Sequence, residues 1–165
     1  VYERHPDLCR CVRVLNHFYR EHAAFWQIDG SWDGFLWLTP DDKERSIVVF
    51  MRMDLQGEAV ICMTNFTSAF YPVFRFGLPG PGTVTECFNT DLKEYGGSNQ
   101  YNAQPLKAQE ELCNGLPWSV QVCVPPLATV YFYYQRKPEP AKTKPGSSGL
   151  AQGVKDKEES TDATT

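Results

Sequence analysis

Near the N-terminus, apolar side chains fall at Leu8, Val12, Leu15 and Tyr19, with His22 continuing the row, at spacings of four, three, four and three. That spacing keeps them on one face of an α-helix, whose period is 3.6 residues. Pro6 suits the first helical position, where its missing N–H would have no partner in any case. Cys11, Phe18 and Phe25 make a second apolar row on another side, so the helix is expected to touch more than one neighbour. From Gly34 onward the pattern changes to short β-branched and aromatic runs separated by Gly, Pro, Asn and Asp. These predict seven strands, over residues 35–38, 47–53, 59–65, 73–76, 84–88, 118–124 and 128–134. Leu55-Gln56-Gly57 reads as the hairpin between the second and third. The run from Gly77 to Gly82 reads as a turn, because glycine and proline weaken a strand interior. Residues 93–115 have a weak apolar pattern and read as a long loop with room for one short strand.

Strands at this spacing with no helices between them predict a mainly β chain, an antiparallel β-sandwich preceded by one α-helix. After Gln135 the composition shifts: residues 136–165 contain no aromatic side chain, three prolines and three glycines. Too few apolar groups are present to offset an ordering entropy of ~1–2 kcal/mol per residue, so this tail is expected to be disordered. The expected division is a helical segment over 1–26, a sandwich over 27–135 and a tail over 136–165.

Of 165 residues, 42% are hydrophobic and 13% aromatic, enough for one packed core. The net charge of −4 and a pI near 5.4, with no clustered basic face, exclude a nucleic-acid partner from the expected reading. No apolar run approaches the ~20 residues of a membrane span. The N-terminus, Val1-Tyr2-Glu3-Arg4-His5-Pro6, lacks the basic-then-apolar pattern of a secretory signal. The expectation is therefore a cytoplasmic chain with no membrane partner. The six cysteines contain no C-x-x-C pair and read as reduced core thiols. Asn65-Phe66-Thr67 fits a glycosylation acceptor, a pattern without meaning in the cytoplasm.

His5, His17 and His22 lie on or beside one helix, His17 and His22 on different sides of it, and no H-E-x-x-H occurs, so neither a metal site nor a cofactor is expected. Glycoside chemistry with retention needs two carboxyl groups ~5 Å apart across a sugar. Adjacent acids such as Asp41-Asp42 and Glu110-Glu111 do not supply that and read as solvated loop charge; no catalytic residue is nominated. Trp26, Trp32 and Trp37 fall within twelve residues, interleaved with Asp29, Gly30, Asp33 and Gly34. Sugar rings present apolar faces that stack on indoles while their hydroxyls bond to carboxylates, which makes the three tryptophans glucan-contact candidates. Burial where the helix meets the sandwich is the competing and favoured expectation, since large aromatics are buried on average. Trp118 opens a strand and reads as core.

Several segments, in order, resemble a known family: Val12-Arg13-Val14-Leu15-Asn16-His17-Phe18-Tyr19-Arg20, Gly34-Phe35-Leu36-Trp37-Leu38, Asp41-Asp42-Lys43-Glu44-Arg45-Ser46-Ile47, Thr64-Asn65-Phe66-Thr67, Phe88-Asn89-Thr90-Asp91 with the residues up to Ser98, and Pro125-Pro126-Leu127-Ala128-Thr129. Together they look like the C-terminal region of prokaryotic 1,4-α-glucan (glycogen) branching enzymes, of the alpha-amylase-type glycoside hydrolase superfamily. The resemblance implies a parent with an N-terminal β-sandwich module, a (β/α)₈ barrel and an alpha-amylase C-terminal all-β domain. Residues 1–26 would be the last barrel helix, with Leu8, Val12, Leu15, Phe18 and Tyr19 as barrel-interface candidates. Such enzymes cut an α-1,4 glucan and rejoin the piece by an α-1,6 linkage, with carboxylates on barrel strands that this chain lacks. The implied partners are the barrel domain and an α-glucan (glycogen or amylose), the implied parent is monomeric, and the isolated segment is expected to be inactive. Two positions depart from the family pattern: Asn99 stands where a glycine commonly follows Tyr-Gly-Gly-Ser, and Leu36 where the family has an acid. The readings to be separated are an enzyme fragment that supports the barrel, a free-standing glucan-binding module, and a purely structural interaction domain.

Overall fold

The computed structural model describes residues 5–138. One helix, α1 (Pro6–Glu21), is followed by eight strands: β1 (Phe35–Asp42), β2 (Ile47–Met53), β3 (Ala59–Asn65), β4 (Tyr71–Leu78), β5 (Gly82–Asn89), β6 (Leu106–Lys107), β7 (Trp118–Val124) and β8 (Thr129–Arg136). β8 continues through Arg136, and the greater part of the expected tail, residues 139–165, lies outside the described residues.

All pairings are antiparallel and form two sheets, one in the order β1-β2-β3-β8-β5-β6 and one of β4-β7. Alternation along each strand sends one set of side chains between the sheets. Ile61 and Met63 of β3 and Phe132 of β8 meet Phe74, Phe76 and Val122 of the small sheet in the main core. The opposite set lies on the outer face of the large sheet, under α1. There Cys11 and Phe18 of the helix pack on Val60, Phe88, Tyr131 and Tyr133. Phe18 stacks on Phe88 with centroids 5.6 Å apart and meets Tyr131 edge-on at 5.4 Å. Phe88 reaches that face because β5 has an irregular register between Glu86 and Phe88; the extra residue Cys87 reverses the parity that points Val84 into the main core.

The helix ends where His22 turns extended, at φ −107° and ψ 106°. His22 ties this end to the sheet: Nδ1 is 2.7 Å from Glu58 Oε1 and Nε2 is 2.9 Å from the Tyr133 hydroxyl. β4, β5 and β8 each differ from their expected limits by one or two residues at their ends, and two larger corrections concern β1 and the turn before β5. β1 runs on through Pro40 to Asp42, which proline permits because β1 is an edge strand and needs no donor on its open side. Gly77 and Gly82 belong to strands, and only Pro79-Gly80-Pro81 make the turn proper. Glycine is required at both by close backbone approach: a Cβ on Gly77 would lie 2.3 Å from the Cys113 carbonyl oxygen, and one on Gly82 2.5 Å from that of Gln135. The one short strand expected in the long loop is β6, paired with β5.

The glycine-containing loop after β5 closes around a buried carboxylate. Asp91 accepts from Ser98 N at 2.9 Å, Ser98 Oγ at 2.7 Å and Gln100 N at 2.9 Å. Asn99 sits at φ 66°, in the left-handed region, and its Oδ1 accepts from Lys93 N at 3.1 Å. Asparagine is the residue after glycine that tolerates this conformation, so the turn survives the departure from the family pattern.

Candidate functional site: an exposed aromatic platform

The β1–β2 hairpin carries two apolar faces. Leu36 and Leu38 turn toward the main core, which leaves Phe35 and Trp37 on the outer side of the large sheet. In β2 the same alternation sends Val49 and Met51 inward and Phe50 and Arg52 outward. The register makes Phe35 the partner of Arg52 and Trp37 the partner of Phe50, so the four stand together. Trp32 joins them from a 3₁₀ turn, Trp32–Gly34, capped by Ser31, whose Oγ accepts from Asp33 N at 3.2 Å. Phe35 is the centre of the cluster. Its ring is 5.9 Å from Trp32, 4.9 Å from Trp37 and 5.4 Å from Phe50, the first two edge-on and the last stacked.

A depression of about 310 Å³ lies over these rings, lined by Asp29, Gly30, Ser31, Trp32, Phe35, Trp37 and Arg52. Arg52 braces its floor. The guanidinium lies 5.9 Å from the Phe35 centroid and donates from Nη2 to Asp29 Oδ1 at 2.8 Å and to the Phe25 carbonyl at 3.3 Å, and from Nε to the Ala24 carbonyl at 3.4 Å. A planar, five-donor group does this in one rotamer where lysine would not. Asp29 itself is exposed, so its carboxylate faces the depression's solvent side. The arrangement offers flat apolar faces beside a fixed acceptor and donors, a combination that fits the alternating faces and hydroxyls of a sugar.

Trp32 is 80% exposed and Trp37 46% exposed, and Trp26 is likewise exposed. The favoured expectation, burial of these tryptophans, is therefore corrected. α1 stops at Glu21, and the short turn Ala23–Phe25 packs on β2 and β3, so among the described residues the helix does not extend over the outer side of the edge strand β1. Trp26 stands outside the lining of the depression, and Trp118 packs against the main core. The helix candidates divide: Leu8 and Val12 are exposed on the outer side of α1, Tyr19 is half-exposed with its ring stacked on Phe25, Leu15 is half-buried, and Phe18 is buried against the sandwich.

The acids are engaged structurally. The Asp42 side chain, expected to be solvated, is almost fully buried and accepts from Arg45 Nε at 2.7 Å and Arg45 N at 3.1 Å, closing the β1–β2 hairpin. Glu111 pairs with Arg75 at 2.9 Å and Asp41 with Lys43 at 3.3 Å. Among the described residues no group of three His, Cys, Asp or Glu side chains could hold a metal ion. All six cysteines are free. Burial pushes the Cys62 thiol up to about 11 and that of Cys87 to about 12. The amide of Asn65, the residue of the glycosylation pattern, donates to the carbonyls of Ala69 and Pro125.

Phe35, Phe50 and Arg52 were absent from the glucan-contact candidates named from the sequence. The signal for them was the period-2 alternation of the two strands, but using it needed the register, which the hairpin loop sets.

A large antiparallel sheet faced by a two-stranded one is a β-sandwich module, and the chain belongs to the alpha amylase C-terminal all-beta domain family, whose sequence model matches residues 37–135. The chain is 38% identical over 132 residues to the 1,4-alpha-glucan branching enzyme GlgB of Halothermothrix orenii (strain H 168 / OCM 544 / DSM 9562), covering 79% of this chain and 21% of that enzyme. It is 40% identical over 127 residues to the 1,4-alpha-glucan branching enzyme GlgB of Burkholderia vietnamiensis (strain G4 / LMG 22486), covering 77% of this chain and 17% of that one. It is thus homologous to the C-terminal region of such enzymes and spans about a fifth of the length of the curated relatives it matches. Among the described residues no helix is long and apolar enough to cross a membrane.

Proposed function

We propose that this chain is the C-terminal domain segment of a 1,4-α-glucan branching enzyme, and that it supports the catalytic barrel and holds α-glucan on the aromatic platform. In this reading residues 1–26 are the last barrel helix, and the sandwich runs from residue 27 to the end of β8 at Arg136. The parent is a cytoplasmic monomer of glycogen biosynthesis, where six unpaired thiols stay reduced. The segment by itself forms no branches. The observation that carries the glucan contact is the exposure of Trp32 and Trp37 around Phe35, beside the Asp29–Arg52 pair. Titrating the protein with maltoheptaose while following tryptophan fluorescence tests it. A saturable change that disappears in Trp32→Ala and Trp37→Ala is expected, and a flat titration of the unmutated chain sinks the glucan contact.

A purely structural role is the second reading, favoured by the outer face of α1, where Leu8 and Val12 stand exposed. A helix with one side packed on a sandwich and apolar residues on the other is built to sit between two bodies.

A further inference from the structure

The two loops at the end of the sandwich where β3 stops and β8 starts carry three exposed apolar side chains: Phe66 is 64% exposed, Phe70 43% and Leu127 70%. These loops are clamped together. Buried Asn65 donates from Nδ2 to the Ala69 carbonyl at 2.8 Å and the Pro125 carbonyl at 2.9 Å. Its Oδ1 accepts from Thr67 N at 2.9 Å and Thr67 Oγ1 at 2.8 Å. Two backbone bonds complete the clamp, Leu127 N to the Thr67 carbonyl at 2.8 Å and Asn65 N to the Ala128 carbonyl at 2.9 Å. Leu127 is held at φ 47°, a left-handed conformation that disfavours a leucine by ~1–2 kcal/mol. Among the described residues no burial of its side chain offsets that strain. Such strain persists only where the surroundings over-determine the backbone, here the Asn65 clamp, and it clusters at functional sites.

Position and chemistry identify the partner. α1 begins at the same end: Arg10 Nη1 donates to the Glu94 carbonyl at 3.3 Å, and a Cβ on Gly96 would lie 3.9 Å from that of Asp7. The loop holding Glu94 and Gly96 follows β5 directly, and Thr90 N bonds the Thr129 carbonyl at 3.0 Å beside the clamped loops. The N-terminal end of α1 therefore lies at the end of the sandwich where Phe66, Phe70 and Leu127 stand. The curated relatives are about five times longer than the matched segment, so a large body is available to meet them. Residues 65–70 and 125–128 contain no charged side chain, and Asn65 spends its amide inside the clamp. Such a tip offers a sugar few hydrogen bonds and suits the uncharged centre of a protein interface.

We infer that Phe66, Phe70 and Leu127 form a docking point for the domain that precedes α1, the barrel of the proposed reading, on which this inference rests. It is a second contact, separate from the outer face of α1. The test uses the full-length polypeptide that carries this chain, with Phe66→Ser and Leu127→Gly singly and together. Glycine relieves the strain at 127 while removing the side chain, so a loss of docking there is not a loss of fold. Hydrogen exchange at residues 66–70 and 125–128, and the rate of proteolytic cleavage ahead of α1, are measured beside a Leu112→Ser control at another exposed leucine. Exchange and cleavage at least ten-fold faster in the double variant, and unchanged in the control, are expected. Unchanged rates in a double variant that still forms branches overturn the docking point and leave the proposed function standing. A full-length protein without a preceding barrel, or without branching activity, overturns both.

Discussion

At the scale of single residues, the tryptophans and the two oddly placed polar groups make opposite predictions. Trp32 stands mostly in solvent, so replacing it with alanine is expected to change unfolding free energy by no more than ~0.5 kcal/mol while abolishing the maltoheptaose signal. Urea unfolding beside the fluorescence titration separates the two effects. Asp91 is the reverse case. Its carboxylate satisfies three donors inside the loop, and Asp91→Ala leaves them without a partner at a cost of ~3 kcal/mol, again read from urea midpoints. At Asn99 the left-handed backbone makes Asn99→Gly nearly neutral, while Asn99→Val is expected to destabilise by ~1–2 kcal/mol. The need for a left-handed residue there was not visible from Asn99 alone. Asparagine is an ordinary loop residue, and only its φ of 66° marks the constraint.

At the scale of elements, α1 has a working side in this chain and a spare one. Phe18 lies among Phe25, Phe88 and Tyr131, so Phe18→Ala is expected to cost ~3–5 kcal/mol. Leu8→Ser with Val12→Ser, on the uncovered side, should leave stability within ~0.5 kcal/mol and reduce self-association, as sedimentation velocity would show. The helical spacing made both rows legible, but which row meets the sandwich depended on where Phe88 and Tyr131 came to lie. The sheet beneath the helix also sets an alkaline limit. Burial raises the Cys62 thiol from 9.0 to about 11, Cys87 to about 12, and the Tyr133 phenol from 10.0 to about 12. Each group holds its proton more tightly folded than unfolded. Its stabilisation is complete below the unfolded values and is lost as pH rises toward the folded ones. Urea midpoints are expected to hold steady below pH 9 and fall from there toward pH 12, with a shallower fall in Cys62→Ala.

At the scale of the whole molecule, α1 and the aromatic platform share the outer face of the large sheet, while the small sheet covers the other. Glucosyl transfer with retention needs two carboxyl groups ~5 Å apart on a rigid scaffold, and Asp42, Glu58 and Glu111 are instead each engaged with a cation or histidine. The purified chain is expected to form no α-1,6 linkages from amylose, by iodine staining or debranching analysis. The sequence alone determined the order of elements and the limits of β2, β3 and β7, because period-2 alternation of branched and aromatic residues is a local property that a pleated strand imposes on itself. It also brought Trp32 and Trp37 forward by their clustering. Only the tertiary structure decided that β8 lies between β3 and β5, that a bulge at Cys87 turns Phe88 toward the helix, that Gly77 and Gly82 are strand residues pressed by neighbouring backbone, and that Phe35, Phe50 and Arg52 complete a platform left open to solvent. Those outcomes depend on pairings between segments far apart in the chain, where the choice of neighbour is set by which faces can be buried together, and no window of local sequence contains that information.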